Sequence, residues 1–280
     1  MVSHQVALVT GASSGIGRAT AELLAASGFT VFGTSRSLGQ DVRSYRWLPL
    51  DVRSDTSVEA AVQTLLEQAG RIDVLVNNAG YAQTGAIEES SIDDVRAQLD
   101  TNLLGALRVM KAVLPVMRQQ RSGHIINVSS VVGHVAPPYM GVYATRKFAL
   151  EGLTEALREE VRLFGVQVSL VEPGFVKTSI VSGQPTNTID AYNAGRQATA
   201  RFLTASVQNG MEPGVVAQAI LRAITSRPRL RYLVGRSAKA LTLLKRALPE
   251  PLFDRVRRRA FRVGKPAELE SQTRTQEIVV

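Results

Sequence analysis

The run VALVT at 6 to 10 is continuously apolar and β-branched, and it leads straight into GASSGIGRATAELLAASG, where apolar positions recur at helical spacing. A strand buried on both faces, a glycine turn and a helix over 16 to 27 are the elements this pattern predicts. The same rhythm continues along the chain. TVFGTS at 30 to 35 reads as a strand, 56 to 69 as a helix and IDVLVNN at 72 to 78 as a strand. A long helix near 92 to 118, a strand HIINVSS at 124 to 130 and a helix from about 142 to 164 follow. VQVSLVEPG at 166 to 174 is the next strand, and a helix runs from Pro213 to about Thr225. Strands alternating with helices predict a parallel sheet covered on both faces, a doubly wound α/β fold. In such sheets ligands bind beyond the carboxyl ends of the strands.

Composition adds bounds to this picture. With 280 residues and 45% hydrophobic content, one large core is enough, and we expect a single domain over 1 to 234 followed by an extension over 235 to 280. No cysteine is present, so neither a disulfide framework nor a cysteine-ligated metal is available, and His4, His124 and His134 show no metal-ligand spacing. The expected metal set is empty. The start MVSHQVALVT shows no signal pattern, and no apolar run reaches the ~18 residues a bilayer span requires, so a cytoplasmic protein is expected.

Charge is uneven behind the net +9. Residues 1 to 220 carry 18 basic and 19 acidic side chains, whereas 221 to 280 carry 15 and 5. In the basic tail, Leu241, Leu244 and Leu248 repeat at helical spacing, Pro249 and Pro251 interrupt, and Phe253, Val256 and Ala260 form a second stripe. Two readings stay open. The stripes pack on the body or on a partner subunit, or the helices lie on an anionic membrane surface as a peripheral contact. No nucleic-acid motif accompanies the charge, and the residues after Gly264 read as a flexible end.

Candidate chemistry centres on Tyr143 and Lys147 in YATRK, with Ser130 thirteen positions upstream. Residues i and i+4 share a helix face, so phenol and ammonium can reach one pocket. A neighbouring cation favours phenolate and moves a group that titrates near pH ~10 toward neutrality, suiting it to exchange protons with a substrate oxygen. At the chain's start, Gly11 allows a tight turn, Gly15 lets backbone amides approach a pyrophosphate, and Gly17 permits close helix packing. Ser13, Ser14 and Ile16 complete that loop.

TGASSGIG at 10 to 17, NNAG at 77 to 80, Asn102 in TNLLG, Ser130, YATRK and the PG of 173 and 174 occur in the order and spacing of the short-chain dehydrogenase/reductases. Over roughly residues 5 to 234 the chain resembles that family, most of all its hydroxysteroid and retinol dehydrogenase branch and bacterial relatives. It departs in Thr145 and Arg146 inside the YxxxK and in its long extension. The resemblance implies a Rossmann fold and an oxidoreductase exchanging a carbonyl with an alcohol. Tyr143 is then the general acid and base, Lys147 stabilises the phenolate and bonds the nicotinamide ribose, and Ser130 bonds the carbonyl oxygen. Asn102 becomes the relay member that holds a water near Lys147.

Cofactor contacts carry over in the same way. Asp51 and Val52 match the adenine-binding position, Asn78, Ala79 and Gly80 the turn beneath the adenine ribose, and Pro173, Gly174, Val176 and Thr178 the segment over the nicotinamide. At the end of the second strand, Ser35 and Arg36 stand where NAD sites commonly place an acid; a hydroxyl beside a guanidinium suits a 2′-phosphate, so NADP(H) is expected.

The family builds its lid over residues 175 to 212. Ile180, Val181, Ile189, Tyr192, Phe202 and Leu203 there, with Val132, Val135, Pro137, Pro138 and Tyr139, form either an apolar cleft or lid packing. A bulky lipophilic steroid-, retinoid- or lipid-like substrate is the leading expectation. A 3-oxoacyl thioester reductase is the alternative within the enzyme class, and a non-catalytic NADP sensor or scaffold the alternative outside it. By the same resemblance, the helices near 92 to 118 and 142 to 164 form the contacts of a dimer or tetramer.

Overall fold

A computed structural model describes residues 5–37, 44–179 and 185–260. Seven parallel strands form one sheet: β1 (Val6–Val9), β2 (Thr30–Ser35), β3 (Arg46–Pro49), β4 (Val74–Asn77), β5 (Gly123–Val128), β6 (Val166–Pro173) and β7 (Arg231–Val234), in the spatial order β3-β2-β1-β4-β5-β6-β7. Their register is parallel throughout, from Val6 opposite Thr30 to Pro173 opposite Val234. Strand order reverses between β1 and β4, which opens a crevice at their carboxyl ends. The doubly wound fold expected from the hydrophobic alternation is the one observed.

Helices α1 (Gly15–Ala26) and α7 (Pro213–Thr225) cover one face, and Ala21, Leu24, Val216 and Ile220 bury their apolar stripes against Val9, Val31 and Val76. The other face carries α2 (Asp55–Ala69), α4 (Gly105–Gln120) and α5 (Gly141–Val161), which close on Leu8, Phe32, Leu75 and Ile125. Because both faces are covered, all four residues of β1 and of β4 are buried. A third, smaller cluster of Ala82, Met140, Tyr143 and Leu203 lies under the lid.

Four elements differ from the sequence pattern. The long helix expected near 92 to 118 is interrupted: α3 (Ile92–Leu99) passes through a π-helical turn, Asp100–Leu104, before α4 begins. Its hydrophobic period hides the extra residue that a π turn inserts. Strands β3 and β7 were not among the expected elements, because four residues at a partly exposed sheet edge carry little alternation. Helix α6 (Asn193–Gln208) of the lid buries Arg196, Thr199 and Leu203, too polar a stripe to stand out.

The lid is fastened at both ends. Met211 donates from its amide to the Phe175 carbonyl at 3.0 Å, Lys177 donates back to Met211 at 3.0 Å, and buried Arg196 pairs with Glu89 below. Beyond β7, α8 (Arg236–Ala247) and α9 (Glu250–Ala260) fold onto the body: Phe253 is buried, and Lys245 and Arg257 donate to the carbonyls of His134 and Ala136. Val256 and Leu244 remain exposed on the outer side. Ile180, Val181, the side chain of Ala260 and the chain end after Gly264 fall outside the described residues.

Candidate active site

Helix α1 opens on the glycine loop with its N-terminal amides free. Its N-cap Ser14 is extended and makes no side-chain capping bond, and its first turn holds no acid. In α2 the Ser54 side chain accepts from Ser57, and α3 carries a full capping box of Ser91 and Asp94. Unpaired amides and the positive end of the α1 dipole therefore face a cavity lined by Gly11, Ser13, Ser14, Gly15 and Ile16, a donor set that fits a pyrophosphate. Gly15 sits at φ +55°, and a Cβ there would lie 3.0 Å from Thr178 Cγ2. Gly17 does not line the cavity; a Cβ would stand 2.2 Å from the Gly11 carbonyl oxygen, so its part is close packing.

Ser35, Arg36, Asp51, Val52 and Arg53 line the far end of this cavity. Arg53 grips the Asp51 carboxylate, with Nε at 3.0 Å from Oδ1 and NH2 at 2.7 Å from Oδ2. That hydrogen bonding, helped by the charges of Arg53 and Arg36, holds the Asp51 carboxyl down at about 2. Arg53 is a cavity residue the sequence motifs did not single out.

Asn78, Ala79 and Gly80 leave β4 and line this cavity and a second one beside it, which Ile16 and Thr178 also share. The second is the cleft where Ser130, Tyr143, Lys147, Pro173, Gly174 and Val176 meet. Ser130 follows β5 and caps a short turn, its hydroxyl oxygen accepting from the Val132 amide at 3.2 Å. Tyr143 and Lys147 project from the first turns of α5 into the same cleft, both buried. Lys147 Nζ donates to the Val128 carbonyl at 2.7 Å. Burial, and then the Arg146 charge, push its ammonium well below the ordinary lysine range, with Glu151 acting in opposition.

Asn102 lies in the π turn and lines neither cavity. Its Oδ1 accepts from the Tyr81 amide at 2.9 Å and its Nδ2 donates to the Tyr81 carbonyl at 3.2 Å, so the side chain clamps the backbone just after the NNAG turn. π turns concentrate at functional sites, and this one aims an amide at the cleft floor.

The cleft walls are apolar. Val131, Val132, Val135, Pro137, Met140, Phe175, Leu203 and Val207 line it, and Leu241 of α8 closes one side. Of the other lid and rim residues the sequence suggested, Tyr139, Tyr192 and Phe202 pack the lid instead: Tyr139 and Tyr192 stack edge to face, Phe202 stacks on Phe175, and Tyr192 Oη donates to Glu88. Pro138 and Ile189 also stay off the cleft lining. The sequence pattern placed Leu241 on a tail stripe, not on the cleft.

The family model described as short chain dehydrogenase matches residues 5–189. This chain is a short-chain dehydrogenase. A 3-ketodihydrosphingosine reductase from Bacteroides thetaiotaomicron is 38% identical over 236 residues, 82% of this chain and 88% of that protein. The crystal structure of a short-chain dehydrogenase from Streptomyces avermitilis superposes with a TM-score of 0.79 at 33% identity, covering 99% of this chain and 100% of the other. Another from Burkholderia phymatum, in complex with NAD, gives a TM-score of 0.76 at 30% identity, over 87% and 94%. The chain is thus an oxidoreductase of a family that binds a nicotinamide cofactor.

In this short-chain dehydrogenase the residues that assemble the motifs include some that motif reading passed over. Thr10, the polar end of an apolar strand, joins the glycine loop to the NNAG turn. Asn77 Nδ2 donates to Asn127 Oδ1 at 3.0 Å, and Asn127 donates to Thr154 Oγ1 of α5 at 2.9 Å, fixing β4, β5 and α5 together. The fold also brings His134, Glu151 and Glu172 within 4.8 Å of one another, a set invisible in sequence spacing. Arg231 already supplies the cation there, pairing with both glutamates at 2.8 Å or closer. Burial and the Glu172 charge push the Glu151 carboxyl up.

Proposed function

We propose that this chain is an NADP(H)-dependent oxidoreductase that interconverts a carbonyl and a primary or secondary alcohol on a bulky lipophilic substrate. The observation that carries the reading is the location of Tyr143 and Ser130 in a cleft that Val131, Val132, Val135, Pro137, Met140 and Phe175 also line. Apolar walls bind an acyl, steroid-like or sphingoid body through area removed from water, while the few polar groups fix the reacting oxygen. Likeness to a protein named as a 3-ketodihydrosphingosine reductase supports a lipid ketone.

The glycine loop and α1 amides would hold the cofactor pyrophosphate, Asn78 to Gly80 its adenine ribose, and Thr178 with Pro173 to Val176 its nicotinamide end. Arg36 beside Ser35, and Arg53 across the cavity, support selection of a 2′-phosphate. When bound, the cofactor supplies or takes the hydride at the substrate carbon. In reduction Tyr143 Oη gives its proton to the substrate oxygen, and in oxidation it takes that proton back. Ser130 Oγ hydrogen-bonds the same oxygen as negative charge develops on it. Lys147 holds the nicotinamide ribose and passes protons onward, while Asn102 supports the site by clamping the Tyr81 backbone.

Exposed Leu104 at the end of the π turn and Phe148 on α5 support a homo-oligomer, and the outward arginines of α9 support contact with an anionic lipid surface. The substrate reading is tested by NADPH oxidation with steroid ketones, retinals, 3-ketosphingoid bases, 3-oxoacyl thioesters and short-chain ketones. A kcat/KM at least ~10² higher for the long apolar ketones supports it; equal or better turnover of four-carbon ketones overturns it.

A further inference from the structure

Arg146, the residue just before the catalytic lysine, is 2% exposed and lines the cleft beside Tyr143 and Lys147. Its guanidinium lies 4.0 Å from the centre of the Tyr143 ring. NH2 donates to the Tyr81 carbonyl at 2.7 Å, the same oxygen that accepts from Asn102, while Nε is buried with no hydrogen-bond partner. Among the described residues no carboxylate pairs with it; the groups that favour its charge are the phenols of Tyr143 and Tyr81. Buried Arg196 is neutralised by Glu89, and half-buried Arg231 by Glu151, Glu155 and Glu172.

A buried cation without an acid is unfavourable unless something else gains from it. What it touches is the phenol ring and the backbone node that fixes the cleft floor. We propose that Arg146 is a positioning residue for proton transfer at Tyr143, its guanidinium holding the ring in place and supplying a fixed positive charge beside the phenol. This rests on the reading of Tyr143 as the acid and base.

Physical chemistry gives the arginine an advantage over the lysine for this part. Burial lowers Lys147 well below the ordinary lysine range, whereas a guanidinium brought down to about 10 by burial stays cationic through neutral pH. A planar cation also stacks on an aromatic face, as this one does on the Tyr143 ring. The titratable groups around the phenol are Lys147 on α5, with Glu151 one turn further, and Tyr81 on the loop after β4, whose own hydroxyl faces Arg53 and Asp94. None of these places an acid against the Tyr143 ring.

The experiment follows kcat/KM for alcohol oxidation from pH 6 to 10.5 in the full-length wild type, Arg146→Gln and Arg146→Lys, with NADPH affinity and thermal melting alongside. In Arg146→Gln the rising limb moves up by about 1 pH unit or more, with roughly 10-fold slower turnover at pH 7 and NADPH affinity within about 3-fold of wild type. Arg146→Lys places an ammonium under the same burial that lowers Lys147, so its limb moves up too, by less than that of the glutamine variant. Added guanidinium ion, but not neutral urea, partly restores the glutamine variant. A glutamine variant that melts lower but keeps its limb assigns Arg146 a purely structural part and overturns the proposal. So does a lysine variant whose limb does not move, which decides the matter if the glutamine variant does not fold. An unmoved limb in a series where Tyr143→Phe is inactive refutes this inference alone, whereas an active Tyr143→Phe refutes the reading beneath it.

Discussion

The Thr10 hydroxyl oxygen accepts hydrogen bonds from the amides of both Asn78, at 3.0 Å, and Ala79, at 3.1 Å, across the point where strand order reverses. Asn78 answers by donating Nδ2 to the Thr10 and Gly11 carbonyls at 3.0 and 3.2 Å. One buried threonine therefore sets the glycine loop at its distance from the turn that floors both cavities. Thr10→Val, similar in shape but without the oxygen, leaves two amides unsatisfied. We expect about 2 kcal/mol lost in urea unfolding and a KM for cofactor raised about 5-fold or more. Unchanged cofactor KM would show that the two segments hold their spacing without it.

Arg36 is expected to discriminate between the two nicotinamide cofactors. Arg36→Ala should raise KM for NADPH by roughly 10-fold or more and leave NADH within about 2-fold, since a charge-assisted contact to phosphate is worth about 1.5–3 kcal/mol. Steady-state kinetics with both cofactors provide the check, and equal losses would contradict the assignment.

Leu241 reaches the cleft from α8, which makes the C-terminal extension part of the cleft wall. Leu241→Ala removes apolar contact area, and kcat/KM for a long-chain ketone should fall by about 5- to 30-fold, corresponding to about 1–2 kcal/mol. A short ketone that cannot reach this wall should be unaffected. Parallel losses on both substrates would place the effect in folding instead.

Stability should fall in acid because of His124. Its Nε2 lies 2.9 Å from Ser169 Oγ, and that hydroxyl spends its one proton on the Arg229 carbonyl at 2.6 Å, so the imidazole must donate from Nε2. Burial first, and the Arg158 charge second, hold its pKa down at about 4 from an ordinary 6.5. The unfolded chain therefore binds a proton that the native state refuses. Stability contributed by the neutral ring is intact above about pH 6.5 and is lost as pH falls toward about 4, roughly 2 kcal/mol between pH 7 and 5. Urea unfolding at the two pH values, against a His124→Gln control with a flatter profile, measures it.

The fold was legible because parallel strands buried on both faces read as bare apolar runs: VALV, VLVN and VQVSLV all became central strands. The site motifs were legible for a related reason, since the segments that end those strands are the ones that face the crevice. What the sequence concealed depends on contacts distant along the chain. Nothing local marks Leu241 as a cleft wall or His134 as a neighbour of Glu172. The π turn at Asn102 was hidden by a hydrophobic period that continues through it. Arg146 stood in plain view inside YATRK, but only the fold shows that its charge lies on the tyrosine ring.

The central claim, that Tyr143 moves the proton while the rest of the crevice holds a nicotinamide cofactor, is tested most directly by a paired measurement on Tyr143→Phe. Fluorescence titration should give an NADPH Kd within about 3-fold of wild type, while carbonyl reduction falls by about 10³ or more. Binding retained with turnover near the wild-type rate would contradict the account.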